Sequence, residues 1–154
     1  MEARTPFDIA LSKALSASEV AAALVDLLPK GLRIDVVQDI DRLQCEAAAI
    51  LAEVNDSDDP AWPCILTVYV CREDSQLTPY PDLRIAGHLW RRFGTDALCD
   101  TYSFAGELDP QDPYWALALV EGRWHLASTV HTKLMDERAT GSIKLIRDVE
   151  VPPC

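Results

Sequence analysis

The chain has 154 residues and a formal net charge of −11, from 25 acidic and 14 basic side chains, and 49% of its residues are hydrophobic. That composition excludes a disordered chain, and the acidic field argues against nucleic acid as a partner, because phosphate recognition needs a basic footprint. A length of this order buries a core without metal or disulfide, so residues 1–154 are read as one domain.

Phe7-Asp8-Ile9-Ala10-Leu11 alternates, which predicts a short first strand with Phe7, Ile9 and Leu11 turned inward, near an edge of the sheet. Ser16-Ala17-Ser18-Glu19 is a capping box and opens a helix. Val20, Leu24, Leu27 and Leu28 repeat at helical spacing, and Pro29 with Gly31 ends the run. Period two returns in Leu32-Arg33-Ile34-Asp35-Val36-Val37. Asp35, Asp39 and Asp41 near its end lack the partners of a metal site and read as a solvated rim.

In residues 45–55 helix propensity at Glu46-Ala47-Ala48-Ala49 competes with a pleated reading of Ile50-Leu51-Ala52-Glu53-Val54. The second half is assigned as strand, because Ile65-Leu66-Thr67-Val68-Tyr69-Val70 is a buried strand that needs an antiparallel neighbour. Between them lies the acidic loop Asn55-Asp56-Ser57-Asp58-Asp59-Pro60, without the central Gly and closing Glu of a calcium loop. Trp62, flanked by Pro60 and Pro63 beside acidic residues, is expected to be more exposed than Trp115 and Trp124.

After Pro79 and Pro81 a second amphipathic helix carries Leu83, Ala86, Trp90 and Phe93 on one stripe and Gly94 at its end. Its other face bears Arg84, His88, Arg91 and Arg92, for which salt links to neighbouring carboxylates are the expected use. Ala97-Leu98-Cys99-Asp100-Thr101-Tyr102 reads as strand, and the prolines and acids of residues 106–113 break regular structure.

Residues 112–130 read as a β-hairpin turning at Glu121-Gly122, where Gly takes positive φ without penalty. Val120 then pairs with Arg123. Trp115, Leu117, Leu119, Trp124 and Leu126 share one face, and Ala116, Ala118, His125 and Ala127 the other. The first face is core, at roughly 1.5–3 kcal/mol for each large side chain, with Trp115 and Trp124 expected to be buried. The second is small and flat, fit for a packed helix or a partner. Ile143-Lys144-Leu145-Ile146 adds a last strand. The whole is an α+β plan, a mainly antiparallel sheet of about six to eight strands with two helices packed on one face.

The five cysteines, Cys45, Cys64, Cys71, Cys99 and Cys154, form no close pair of the C-x-x-C kind and read as reduced, buried thiols. The first residues carry no apolar leader, and no stretch is long and apolar enough to span a bilayer, so a cytoplasmic protein without membrane partner is expected. No catalytic motif, Gly-rich phosphate loop or metal-ligand spacing occurs, so no enzyme activity, cofactor or metal is assigned. His125, with Cys99, Asp100 and Tyr102 as possible company, is the one constellation to inspect, beside the commoner reading of a satisfied structural histidine.

The order of capped helix, strand, hairpin and second helix is followed by Phe93-Gly94-Thr95-Asp96-Ala97-Leu98-Cys99-Asp100 and then by Asp112-Pro113-Tyr114-Trp115-Ala116-Leu117-Ala118-Leu119-Val120-Glu121-Gly122. This plan resembles small acidic bacterial proteins of the polymorphic-toxin immunity type. The resemblance implies a cytoplasmic inhibitor that binds a secreted toxin domain, often a basic nuclease or another cationic enzyme, and blocks its active site. It assigns no residue to that task. Charge alone nominates Asp56, Asp58, Asp59, Glu107, Asp109 and Asp112 as a docking surface for a basic protein partner. Two other classes stand beside it. One is a small-molecule enzyme or sensor with a pocket between the basic helix face and the hairpin, and the other is an adaptor that docks by strand addition.

Overall fold

The computed structural model of the chain describes residues 6–28, 33–37, 50–71, 77, 79–101, 104 and 113–151. In chain order the elements are β1 (Phe7–Leu11), α1 (Ala17–Val25), β2 (Ile34–Val37), β3 (Ile50–Asp56), β4 (Cys64–Val70), α2 (Pro81–Phe93), β5 (Ala97–Asp100), β6 (Trp115–Val120), β7 (Arg123–Ser128) and β8 (Lys144–Asp148). The strands form one eight-stranded sheet in the order β2-β3-β4-β1-β5-β6-β7-β8. Every pairing is antiparallel except β2 with β3. The architecture is α+β.

The position of β1 departs from expectation. It lies in the middle of the sheet, between β4 and β5, and not near an edge. The reason is burial on both faces: Ile9 and Leu11 are fully buried on one side and Ala10 is buried on the other. A small residue at the outward position reads as solvent-facing in sequence, yet it equally permits a second packed layer.

Both helices pack on the same face of the sheet. Val20, Ala23 and Leu24 of α1 and Leu83, Ile85, Ala86 and Leu89 of α2 join Ile9, Leu66, Leu117 and Leu126 in one core. α1 begins as the capping box requires. Ser16 Oγ accepts the Glu19 N–H at 3.2 Å, and Glu19 Oε1 accepts the Ser16 N–H at 3.0 Å. α2 starts with Pro81 at its first position, where a missing N–H costs nothing, and ends at Gly94 in the left-handed conformation, φ 67°. Lys13 Nζ donates to the Phe93 carbonyl at 2.9 Å and so places a cation at the negative end of that helix.

The hairpin turn also forms as the sequence predicts. Val120 stands opposite Arg123, and Glu121 and Gly122 both take positive φ, 52° and 80°, which makes a type I′ turn. Trp115 and Trp124 pack against the main core but are half-buried, which corrects the expectation that the core encloses them. They stand at or next to the ends of their strands.

The opposite face of the hairpin is occupied by the chain itself. Ala10, Leu98, Ala116, Ala118 and Ala127 form a second cluster around Trp62, which is 5% exposed. The expectation that Trp62 is more exposed than Trp115 and Trp124 is therefore overturned, and the flat face around Trp62 is covered. Its alanines are small because an indole from the β3–β4 loop, with Leu134 and Ile143 beside it, lies across them.

Candidate functional site

The nominated acidic residues divide into three groups. Asp56, the last residue of β3, and Asp58 in the loop that follows are exposed. Asp59 is 4% exposed, so it is not a surface carboxylate. Glu107, Asp109 and Asp112 lie outside the described residues.

The loop of residues 57–63 is fastened from both ends and from its middle. The Ser57 N–H donates to the Pro63 carbonyl at 2.9 Å and the Trp62 N–H to the Asp59 carbonyl at 3.1 Å. The Asp59 carboxylate accepts the Ala61 N–H on Oδ1 at 2.9 Å and the Lys133 N–H on Oδ2 at 3.1 Å. One buried acid thus caps its own turn and ties the loop to the segment that follows β7. The reading of Asp59 as a solvated docking residue is corrected. Burying a carboxylate is costly unless donors meet it, and here two amides do. The signal was present in Asp59-Pro60, since Asp before Pro initiates turns by bonding backbone amides downstream. Trp62 left a fainter signal: Ala116, Ala118 and Ala127 on one hairpin face are too small to form a core unless something large covers them.

The histidine constellation does not assemble. His125 Nδ1 lies 3.0 Å from Asp148 Oδ1, a cross-strand pair that joins β7 to β8, and Arg123 Nη2 approaches the same carboxylate at 3.8 Å. Cys99 is paired with Leu117 on the helix-covered face, opposite to His125, and its thiol points to the Asp82 carbonyl at 3.8 Å. Asp100 is exposed and aligned with Ala116, a different row of the sheet, and Tyr102 lies outside the described residues. His125 is thus a structural residue that fastens the last strand. The Cys99 thiol is pushed far upward by burial first and by the charges of Asp82 and Asp100 second, so it is not a thiolate nucleophile.

Two residues of the basic stripe on α2, His88 and Arg92, face Asp26 at the end of α1. Arg92 donates to the Asp26 carboxylate and to the Ala22 carbonyl, at the C-terminal end of α1. His88 Nε2 stands 3.7 Å from the same Asp26, too far for a hydrogen bond, and is buried without another partner. Trp90 of α2 lies over the hairpin turn at Gly122. Among the described residues no group of three or more His, Cys, Asp or Glu is placed to hold a metal, and no helix is long and apolar enough to cross a membrane.

The expectation of five reduced thiols fails at Cys71, which is disulfide-bonded, whereas Cys64 and Cys99 are free and buried. Cys71 stands just beyond the end of β4, outside the core that shelters the other two. Glu53 is a second feature that sequence reasoning did not single out. It is 7% exposed on β3, Asn55 Nδ2 donates to its Oε1, and its Oε2 has no partner.

No family model matches the chain, and no curated protein or solved structure matches it.

Proposed function

We propose that the protein is an immunity-type inhibitor that docks a cationic secreted toxin domain on its acidic loops, with Asp56 and Asp58 as the first contacts. The observation that supports this reading is the fastening of the 57–63 loop. Asp59 and Trp62 are buried beneath it, so the two exposed carboxylates are presented from a rigid support. A partner that meets a preorganised pair of charges does not bear the cost of ordering a loop. The net charge of −11 adds long-range attraction for a basic domain and opposes association of like surfaces. Glu107, Asp109 and Asp112 enter the proposal on charge alone. The disulfide at Cys71 is of a kind that persists in oxidising compartments rather than in the cytoplasm.

The first test is whether a secreted effector domain is encoded beside this chain, and the second is association kinetics with that domain at low and at high salt. The wild type should associate more slowly as salt rises, and Asp56→Asn with Asp58→Asn should slow the low-salt on-rate while leaving stability within about 0.5 kcal/mol. An unchanged on-rate in the double variant would leave these acids as solubilising groups only.

A further inference from the structure

We propose that the sheet face opposite the helices carries a binding site for the ammonium group of a small primary amine, built by Glu53, Thr67 and Asp8 on three neighbouring strands. Glu53 of β3 stands opposite Thr67 of β4, and Thr67 stands opposite Asp8 of β1. Ile9, Ala52, Leu66 and Val68 of the same strands belong to the helix-covered core, so alternation turns Asp8, Glu53 and Thr67 to the other face. Trp62 and its cluster lie on another part of that face, around Ala10, Leu98 and the hairpin alanines.

Glu53 is the group that points to a ligand. It is 7% exposed, Asn55 Nδ2 donates to its Oε1, and its buried Oε2 meets no donor. A buried carboxylate is ordinarily paired with a cation or given several hydrogen bonds, because its desolvation is otherwise uncompensated. Here its register neighbours are Val37 and Thr67, and the next charge along the row is Asp8, another acid. Among the described residues neither carboxylate takes part in an ion pair. Arg33, just before the adjoining β2, is engaged with Asp35 at 2.9 Å. Two uncompensated acids therefore flank one hydroxyl, at strand spacings of roughly 5 Å. Thr67 Oγ1 donates to Asp8 Oδ1 at 2.5 Å, which leaves the lone pairs of that hydroxyl as acceptors.

An ammonium suits this set better than other cations do. It carries three donors on one point charge, and Glu53 Oε2, Thr67 Oγ1 and Asp8 Oδ2 are three acceptors in one row. A guanidinium engages both oxygens of a carboxylate, whereas Asn55 holds one oxygen of Glu53 and Thr67 holds one of Asp8. A divalent metal needs more ligands, and among the described residues no three His, Cys, Asp or Glu are placed together to supply them. Entry is from Asp8, which is exposed, across Thr67, which is half-buried. The Glu53 carboxylate turns on three side-chain torsions, so Oε2 reaches an ammonium seated at Thr67 without a shift of the backbone. This site is separate from Asp56 and Asp58 and needs no protein partner.

The experiment is NMR titration of the full chain with methylammonium chloride and, in separate arms, with sodium and potassium chloride. The pH is held constant, and ionic strength is balanced with tetramethylammonium chloride, which has no N–H to donate. Saturable shifts at the amides of residues 8, 53, 55 and 67 and at the Glu53 carboxyl carbon are expected with methylammonium. Glu53→Gln should weaken the saturation by roughly tenfold or more, and the variant folds because it removes a buried charge at constant shape. Asp8→Asn, at an exposed residue, should weaken it by roughly threefold, and Asp56→Asn with Asp58→Asn should leave it unchanged. Shifts that do not saturate, that saturate equally with sodium or potassium, or that persist unaltered in Glu53→Gln and Asp8→Asn overturn the site. Because no toxin domain enters this titration, its failure leaves the docking proposal standing, and failure of docking leaves the amine site standing.

Discussion

Gly122 and Trp90 are in van der Waals contact across two elements distant in sequence: a Cβ added to Gly122 would lie 2.6 Å from Trp90 Cζ2. The hairpin turn needs a glycine there for its own backbone, at φ 80°, and the helix needs the same glycine for space. The indole of α2 thereby orients the hairpin against the helix layer. The Glu121 N–H adds a second tie, donating to Asp96 Oδ1 at 3.1 Å just beyond the end of α2.

Gly122→Ala should accordingly destabilise by about 1–3 kcal/mol, since overpacking adds to the cost of positive φ. Trp90→Ala in the same chain should recover part of that loss, and a double-mutant cycle in urea measures the coupling. Glu121→Asn, which suits a type I′ turn better than Glu, should stabilise by roughly 0.5 kcal/mol.

Trp62→Ala should cost about 3–5 kcal/mol, because the indole is the largest buried side chain of the second cluster among the described residues. Trp115→Ala and Trp124→Ala remove half-buried rings and should cost less than Trp62→Ala. Denaturant midpoints of the three variants give the ranking, and a larger loss at either hairpin tryptophan would contradict it.

Asp59→Ala should cost about 1–3 kcal/mol, since two amides lose a buried acceptor. Asp56→Asn and Asp58→Asn, both at exposed sites, should stay within about 0.5 kcal/mol of the parent. Thermal melts distinguish the buried acid from its two exposed neighbours.

The pKa of Glu19 is lowered, by the backbone N–H of Ser16 first and by its hydroxyl second. Its folded value is then below its unfolded one, so its contribution to stability is complete above the unfolded value and is lost as pH falls through the folded value. Glu19→Gln should remove that acid-side loss and leave a flatter melting profile below the ordinary carboxylate range. An unchanged profile would show that the capping box does not titrate with folding.

Burial pushes the thiols of Cys64 and Cys99 upward, at Cys99 with the charges of Asp82 and Asp100 added. Both should resist a thiol reagent at neutral pH in the folded protein and react once it is denatured. Mass spectrometry of the labelled chain checks each cysteine separately.

Local chemistry determined much of this molecule from the sequence. Ser16 with Glu19, Pro81 with Gly94, and Glu121-Gly122 each carry their structure in a few neighbouring residues, and each element boundary they mark is present. Period-two alternation was enough for the β6–β7 register, because a one-residue slip would turn every large side chain to the wrong face, and the apolar run of β4, which needed an antiparallel neighbour, assigned β3. What only the tertiary structure decided was which surfaces meet. Ala10 reads as an outward position until the strand is in the middle of the sheet, and Ala116, Ala118 and Ala127 read as an open face until Trp62 lies on them. Asp59 and Asp58 are adjacent and chemically identical. One is a buried staple and the other a surface charge because Ala61 and Lys133 bring their amides to the first, and that meeting of residues 59 and 133 is written in no local pattern.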